Sequence, residues 1–365
     1  MRKIPLLACL LVAMLLPAPV SPETLRLPAG SVASMILGER PSCRISEQGR
    51  YQWLHGELIP LEGLFSFYAA DQMPIEARFS VPDQTVRGEV LTGYFQFTES
   101  IDRLDASLEQ LDGDSSITVK GFPVDEEGRI WYFLLGVPST AVSGEYALQV
   151  RGSRGRRYIL YLDDVEVGYK SFRSEEITFN QSLSELMTAP DPLKIVEFHE
   201  LREILSSFRS RSLFHTGTLS VPVEATRRTS HYADRRLYSY TDGGSSRSLH
   251  NGIDLAAPEG TPVFASGAGR VVLAKERIIT GNSVVIEHLP GVFSLYYHLR
   301  DIEVQEGQRL YQGQRIGTVG MTGLATGPHL HWELRVSGVA VDPDFFVGRP
   351  MIDKTVFSNN IMDQN

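Results

Sequence analysis

The pattern of apolar and polar positions in this 365-residue chain predicts strands over most of its length, interrupted by one amphipathic helix. The helix is predicted to follow Asp191, which can cap it, and to start at Pro192, a residue that suits the first helical position. The apolar residues that then recur at helical spacing are Leu193, Val196, Leu201, Ile204, Leu205 and Phe208. We place a short helical connector at residues 171–215, between two strand-rich regions.

The first strand-rich region consists of short β-rich runs separated by turn clusters such as Asp112-Gly113-Asp114. The predicted strands are Glu89–Phe97, Ser116–Phe122, Ile130–Val137, Gly144–Val150 and Tyr158–Val167. This spacing is typical of an immunoglobulin-like β-sandwich, which we place at residues 85–170. The sandwich carries no chemistry, so we interpret it as a spacer or as a docking module for an envelope protein partner. Residues 23–84 are expected to be β-rich, with candidate strands at Leu58–Phe67 and Ile75–Val81.

The second strand-rich region is rich in glycine and extends from about Leu219 to Phe346. We predict strands with tight turns in Pro258–Val272, Ser283–His288, Val292–His298 and Arg315–Val319. We assign residues 216–350 to an antiparallel β domain and residues 351–365 to a loose polar tail.

The first residues have the order of a secretory signal peptide. Arg2 and Lys3 precede an apolar run, Ile4–Leu16, which is followed by prolines and small residues. A retained anchor is the alternative, but about 20 apolar residues are needed to span a bilayer and this run is shorter. We therefore expect residues 1–22 to be removed, which leaves no stable membrane insertion and places the mature chain in the periplasm or cell envelope.

Charge and cysteine content limit the possible binding partners and metal ligands. The net charge is −9, and no block of Lys and Arg stands out on the scale that nucleic-acid binding demands, so that class is excluded. Export would leave Cys43 as the only thiol of the mature chain, so any metal ion must be held by histidine and carboxylate groups.

Three short motifs in the last third supply such groups. His250 and Asp254 are four residues apart, and this spacing can place two side chains on one face. His329 and His331 are two apart, so on a strand they point to the same side. His298 ends an alternating run in which Tyr296 shares its face and Tyr297 points the other way. Two other histidines have plainer interpretations: His288 as a structural residue, and His199 with Glu203 as a surface pair on the predicted helix.

The order of these motifs resembles the M23 peptidases, the lysostaphin-like or LytM-type zinc endopeptidases that cut peptidoglycan cross-bridges. The resemblance covers residues 220–347 and rests on His250-Asn251-Gly252-Ile253-Asp254-Leu255-Ala256-Ala257-Pro258 and on Thr322-Gly323-Leu324-Ala325-Thr326-Gly327-Pro328-His329-Leu330-His331-Trp332-Glu333. It implies a LytM-type antiparallel β catalytic domain. It also implies that one Zn²⁺ is bound by His250, Asp254 and His331, while His298 and His329 are a catalytic pair that does not bind metal.

The implied reaction is hydrolysis of peptide bonds in peptidoglycan cross-links. Three protein ligands leave one tetrahedral position open, which is typical of catalytic zinc. We favour His329 as the general base and His298 as the donor to the oxyanion, with the exchanged assignment left open. Glu333, on the same face as His331, is a candidate partner that orients this ligand, and a solvated strand residue is the alternative.

One stretch departs from the family pattern. Related domains carry Ser-x-Phe-Gly-x-Arg, where this chain has Ser230-His231-Tyr232-Ala233-Asp234-Arg235-Arg236. Near the pocket, Arg235 and Arg236 are interpreted as groups that steer a carboxylate-rich substrate.

Two other functions compete with hydrolysis. A non-catalytic LytM-like regulator of other cell-wall hydrolases would have lost zinc ligands, and this chain keeps the full set. A lipoyl or biotinyl carrier would need a lysine at a hairpin tip, and none lies between Lys275 and Lys354. The sequence leaves open which cross-link bond is cut and whether the upstream domains occlude the cleft.

Overall fold

The computed structural model describes residues 32–36, 42–46, 51–53, 64–67, 77–111, 113, 115–155 and 157–353. The predicted signal peptide at 1–22 lies outside these residues, as do residues 354–365 of the predicted tail. Strands predominate in the described residues, so the predicted mainly β fold class is confirmed. No helix in the described residues is both long enough and apolar enough to cross a membrane.

The first of two compact units contains the described residues up to Val86 together with Leu91–Leu135 and Val142–Gly168. Its strands are β1 (Val32–Ile36), β2 (Ser42–Ser46), β3 (Tyr51–Trp53), β4 (Leu64–Phe67), β5 (Ala77–Ser80), β6 (Gln84–Val86), β7 (Val90–Phe97), β8 (Arg103–Gln110), β9 (Ser116–Lys120), β10 (Phe122–Pro123), β11 (Ile130–Gly136), β12 (Gly144–Arg154) and β13 (Arg157–Gly168). The strands predicted from the sequence correspond to each of the longer strands of this unit except β8, which was not predicted.

Two sheets of this unit meet through aromatic side chains. One sheet has the order β10-β11-β7-β5, and the other has the order β4-β13-β12-β8-β9, with β6 pairing in parallel with β13. The ring of Tyr161 in the second sheet lies 4.8 Å from that of Phe79 and 5.7 Å from that of Phe95, both in the first sheet. The residues between these sheets form an apolar core, while the immunoglobulin-like topology stays a prediction.

The second unit contains Arg87–Val90, Gly136–Ala141 and the described residues from Tyr169 onward. Its elements are β14 (Ser174–Thr178), α1 (Gln181–Thr188), α2 (Pro192–Ser206), β15 (Arg227–Ser230), β16 (Arg235–Ser239), β17 (Ser245–Leu249), β18 (Gly252–Ala256), β19 (Pro262–Phe264), β20 (Gly269–Arg277), β21 (Gly281–Leu289), β22 (Val292–Ile302), β23 (Arg309–Leu310), β24 (Arg315–Val319), β25 (His329–Val336), β26 (Val339–Val341) and a 3-10 helix at Pro343–Phe346.

The predicted helix is α2. The side chain of Asp191 accepts a hydrogen bond from Leu193 N at 2.8 Å, so Asp191 caps the helix as expected. Of its predicted apolar residues, Leu193 and Val196 are exposed, whereas Leu205 is buried. Leu205 belongs to a core cluster formed with strand residues of this unit: Leu273, Val285, Phe293, Leu295 and Tyr297. The shorter helix α1 was not predicted.

A large antiparallel sheet organises this unit. Its central order is β15-β18-β25-β22-β21-β20-β23, and β24 pairs with β19 and β22. A separate small sheet has the order β14-β16-β17. The stretch Pro258–Val272, predicted to contain strands with tight turns, includes β19 and the start of β20, and the chain leaves the sheet between them. There Ser266 N donates to the Tyr296 hydroxyl instead of to a neighbouring strand.

Candidate active site and metal centre

Three adjacent strands bring the three motifs together. In the register between β18 and β25, Asp254 lies opposite His331 and Ala256 opposite His329. On the other side of β25, Tyr297 in β22 lies opposite His331. The sheet order therefore gathers residues that are far apart in the sequence.

Three side-chain atoms converge at the centre of this arrangement. His250 Nε2 lies 3.0 Å from Asp254 Oδ1 and 2.9 Å from His331 Nδ1, and the last two atoms are 2.8 Å apart. All three residues are buried, with exposed fractions of 3%, 5% and 7%. Among the described residues, these three form the group of His, Cys, Asp and Glu side chains that could hold a metal ion.

Hydrogen bonds on the far side of each imidazole decide which nitrogen faces the cluster. His250 Nδ1 lies 2.9 Å from the carbonyl oxygen of His231, and His331 Nε2 lies 3.0 Å from Glu333 Oε1. A carbonyl and a carboxylate only accept, so these outer nitrogens carry the hydrogen, and in the neutral rings the inner nitrogens present lone pairs. Two imidazole lone pairs and one carboxylate oxygen thus face the same point, and this set of donors fits a metal cation.

The charges around the cluster favour a cation at this point. Burial would raise the pKa of Asp254, but the neighbouring His250 and His331 hold it well below its usual value. Burial likewise opposes ionisation of Glu333, yet Arg335 and His331 lower its pKa to about 2. Although burial disfavours a charged His331, these two carboxylates raise its pKa to about 9. The position that a metal cation would take next to Nδ1 is therefore one where the carboxylates already favour a proton.

Stacking holds His331 on its remaining side. The ring of Tyr297 is parallel to that of His331, with an interplanar angle of 5° and centroids 5.5 Å apart. Together with the bond to Glu333, this contact restricts rotation of the imidazole, so Nδ1 stays directed at the cluster.

His298 and His329 lie beside the cluster. Their ring centroids are 4.9 Å apart, and His329 Nε2 is 3.7 Å from Asp254 Oδ1. His298 Nδ1 donates to the Thr322 carbonyl at 2.8 Å, and His329 Nδ1 donates to the Gly327 carbonyl at 2.7 Å. In the neutral form, both rings therefore present an unprotonated Nε2.

The backbone at His298 departs from the predicted alternation. Tyr296 points into the core, where its hydroxyl bonds Ser266, and His298 does not share this environment. His298 has a φ of 63°, and the pairing of β21 with β22 shifts register between Val284 and Asn282. This bulge turns His298 toward His329 and His331, so the prediction that Tyr296 and His298 share a face is wrong.

Similarity to known proteins agrees with this geometry. Residues 248–343 match the model of Peptidase family M23. This segment is a domain of peptidase family M23. The segment includes His250, Asp254, His298, His329 and His331.

Curated relatives match a third of this chain or less. It is 45% identical over 122 residues to peptidoglycan DD-endopeptidase ShyA of Vibrio cholerae serotype O1, a match that covers 33% of this chain and 28% of the relative. It is 48% identical over 95 residues to DD-carboxypeptidase/endopeptidase Mpg of Neisseria meningitidis serogroup B, covering 26% of this chain and 22% of the relative. The chain therefore spans less than a third of the length of these relatives.

One solved structure is also similar to this chain. A putative peptidase M23 from Pseudomonas aeruginosa is 28% identical with a TM-score of 0.49, and the alignment covers 72% of this chain and 95% of that one.

One contact of the cluster of His250, Asp254 and His331 was not predicted from the sequence. Arg236 Nη2 donates to Asp254 Oδ2 at 2.8 Å, and Arg236 Nε bonds Glu175 in β14. Only 12% of the Arg236 side chain is exposed, and its guanidinium is paired with two carboxylates, while its role in steering substrate stays a prediction. Arg235 is engaged as well, because it donates to the carbonyl oxygen of Ser139 at 3.1 Å. The sequence near Glu175 carries no motif that would have revealed this contact.

His288 and His199, which were not predicted to be site residues, lie away from the cluster. His288 is fully buried, with Nδ1 bonded to the Ala268 carbonyl and Nε2 to Ser294 Oγ, each at 2.7 Å. His199 and Glu203 are exposed on α2. The structural and surface interpretations of these residues agree with their positions.

Proposed function

We propose that this chain is a zinc-dependent endopeptidase that hydrolyses peptide bonds of bacterial peptidoglycan cross-links. The observation that carries the proposal is the convergence of His250 Nε2, Asp254 Oδ1 and His331 Nδ1 beside two further histidines. The names of the relatives, peptidoglycan DD-endopeptidase and DD-carboxypeptidase/endopeptidase, support the substrate class.

Zinc suits the donor set of His250, Asp254 and His331, which would hold it. Two imidazole nitrogens and one carboxylate oxygen are common zinc ligands, and three protein ligands leave a fourth position open. When bound, zinc lowers the pKa of its water toward about 7 and polarises the carbonyl group of the substrate.

The two remaining histidines handle protons. His329 keeps 14% of its side chain exposed, which lets its Nε2 take a proton from the attacking water and pass it to the leaving amine. Burial, reinforced by His329 and His331, lowers the pKa of His298 to about 3, so this ring stays neutral. With Nδ1–H held by Thr322, its Nε2 accepts a hydrogen bond and orients the water. We therefore assign His298 this role in place of the oxyanion donor expected from the sequence.

Digestion of purified sacculi by the full chain tests this proposal. Zinc-loaded wild type is expected to release soluble muropeptides, while His331→Ala, which removes one ligand, releases none above background. His199→Ala changes an exposed helical histidine and is the matched control. Full activity of His331→Ala, or inactivity of zinc-loaded wild type, would overturn the proposal and favour a regulator of other hydrolases.

We also propose that the chain works in the periplasm or cell envelope after loss of residues 1–22, with the upstream β unit as a docking module for an envelope protein. The charged and apolar order of the first residues supports export. Mass analysis of the chain from a periplasmic fraction is expected to find a new N-terminus between Ala18 and Glu23. An intact Met1 terminus would contradict removal of the signal.

A further inference from the structure

Helix α2 buries a carboxylate against the peptidase sheet. Glu197 is 7% exposed, although most of its helical neighbours face solvent. Its Oε2 and Oε1 accept from Ile278 N at 3.0 and 3.3 Å, and its backbone carbonyl accepts from Arg277 Nη2 at 3.0 Å. A buried carboxylate needs such donors. Glu197 therefore fixes the start of the turn that joins β20 to β21.

The turn between β20 and β21 also holds the backbone of His298. Thr280, in the turn, accepts from His298 N at 2.9 Å through its carbonyl oxygen. In the same turn, Thr280 Oγ1 accepts a hydrogen bond from Arg277 Nη1 at 3.1 Å. The bonds from Glu197 and those to His298 thus meet on a few consecutive residues.

The turn also holds the loop that receives the His298 side chain. Ile279 O accepts from Leu324 N at 2.8 Å, and Asn282 N donates to Thr322 Oγ1 at 3.0 Å. The Thr322 carbonyl is the acceptor of His298 Nδ1. The packing is close, because a Cβ on Gly281 would lie 2.2 Å from Thr322 Oγ1. A shift of the turn would therefore move both the backbone and the ring partner of His298.

His298 depends on this support more than an ordinary strand residue does. Its φ of 63° lies in the left-handed region, which is unfavourable for a residue with a side chain and persists only where neighbouring bonds impose it. Without the bond to Thr280, the backbone would be free to relax toward an extended conformation, which would rotate the imidazole away from His329.

We propose that Glu197 is a positioning residue for His298, so that the connector helix is a working part of the peptidase. Glu197 does not touch the reacting groups and lies outside the matched segment 248–343. The inference rests on the proposed function and adds to it a residue that sets the geometry of the proton-handling pair.

Three variants of α2 test the inference in the full chain with a defined cross-linked muropeptide as substrate. Glu197→Ala is expected to lower kcat about tenfold with KM within about twofold, because a misplaced His298 affects the reaction more than binding. Glu197→Gln keeps an oxygen that can accept from Ile278 N and is expected to restore most of kcat. Glu200→Ala removes only a half-exposed pair with Lys275 on the same helix and is expected to match wild type.

A second readout is independent of activity. Histidine-ring NMR is expected to show a changed His298 signal in Glu197→Ala and an unchanged one in Glu200→Ala, at equal zinc content and equal folded fraction. If Glu197→Ala does not fold, Glu197→Asp, which withdraws the carboxylate while keeping the charge, is expected to show the same changes.

Wild-type kcat in Glu197→Ala, or an unchanged His298 signal, would overturn the inference. Inactive zinc-loaded wild type would instead overturn the proposed function, and the NMR comparison would still decide whether Glu197 positions His298.

Discussion

At the scale of single residues, the site is defined by which nitrogen of each imidazole faces inward. The sequence identifies His250, His298, His329 and His331 as candidates, since their motifs contain them. It does not fix their tautomers, because three of the four outer partners are backbone carbonyls. Only the partner of His331 is a side chain, Glu333, and its spacing of two on a strand made it visible in the sequence.

Removing the charge from Glu333 is expected to weaken metal binding. Glu333→Gln still accepts a hydrogen bond from His331 but no longer makes the ligand more basic, so zinc affinity is expected to fall about tenfold. Competition with a chromophoric chelator measures this change. Glu303→Gln removes a half-exposed partner of Arg315 and serves as control; equal affinities of the two variants would contradict the role of Glu333.

Removing the guanidinium of Arg236 is expected to weaken metal binding too. Arg236→Ala frees Asp254 Oδ2 and leaves the ligand less well oriented, so zinc affinity is expected to fall by about 10- to 100-fold in the same competition. Glu175→Gln should have a smaller effect in the same direction, because Glu175 acts through Arg236. Glu176→Gln, on the same strand but bonded to Ser239, is the matched control and should bind zinc like wild type.

The buried His288 makes stability depend on pH. Burial lowers its folded pKa to about 4 from an ordinary 6.5, so the unfolded chain binds the extra proton between these values. Its contribution is constant above pH 6.5 and is lost as the pH falls toward 4. From pH 7 to pH 5, wild type should lose about 2 kcal/mol more stability than His288→Gln.

Urea unfolding at the two pH values measures this difference. His199→Gln, which changes an exposed histidine, should keep the pH dependence of wild type. The same loss of stability in His288→Gln as in wild type would contradict the assignment.

At the scale of elements, alternation and turn signals predicted most long strands of the M23 domain and the start of α2. The same reasoning failed at His298, because a bulge with a left-handed φ reverses the face of the next side chain and no residue type marks it. It also did not predict β14, because the residues of this strand are exposed or only partly buried and its partner strand β16 lies far along the chain. Contacts of this kind depend on long-range pairing.

Packing of α2 against the sheet is expected to contribute strongly to stability. Leu205 is 7% exposed and sits in the core cluster with Leu273 and Phe293, so Leu205→Ala should cost about 2–5 kcal/mol. Val196 is 59% exposed on the same helix, and Val196→Ala should change stability by about 0.5 kcal/mol or less. Denaturant unfolding measures both, and equal costs would show that α2 does not pack as described.

At the scale of the whole molecule, the family resemblance and the observed cluster agree on the M23 domain. The sequence predicted this domain because its motifs occur in a fixed order with their glycines. It did not predict that residues outside the matched segment 248–343, Glu175 and Glu197, reach the site through Arg236 and through the turn before β21. These contacts come from the connector, where composition and periodicity predict a helix and nothing about its partners.

The central claim is that the five site residues form a zinc peptidase, and the mass of products from a defined cross-linked muropeptide tests it most directly. Zinc-loaded wild type is predicted to split the cross-link into two peptides whose masses sum to the substrate plus one water. Zinc-loaded His329→Ala is predicted to bind the metal but to cleave at least about 100-fold more slowly than wild type, because the proton acceptor is gone. An intact substrate with zinc-loaded wild type, or undiminished cleavage by His329→Ala, would contradict the account.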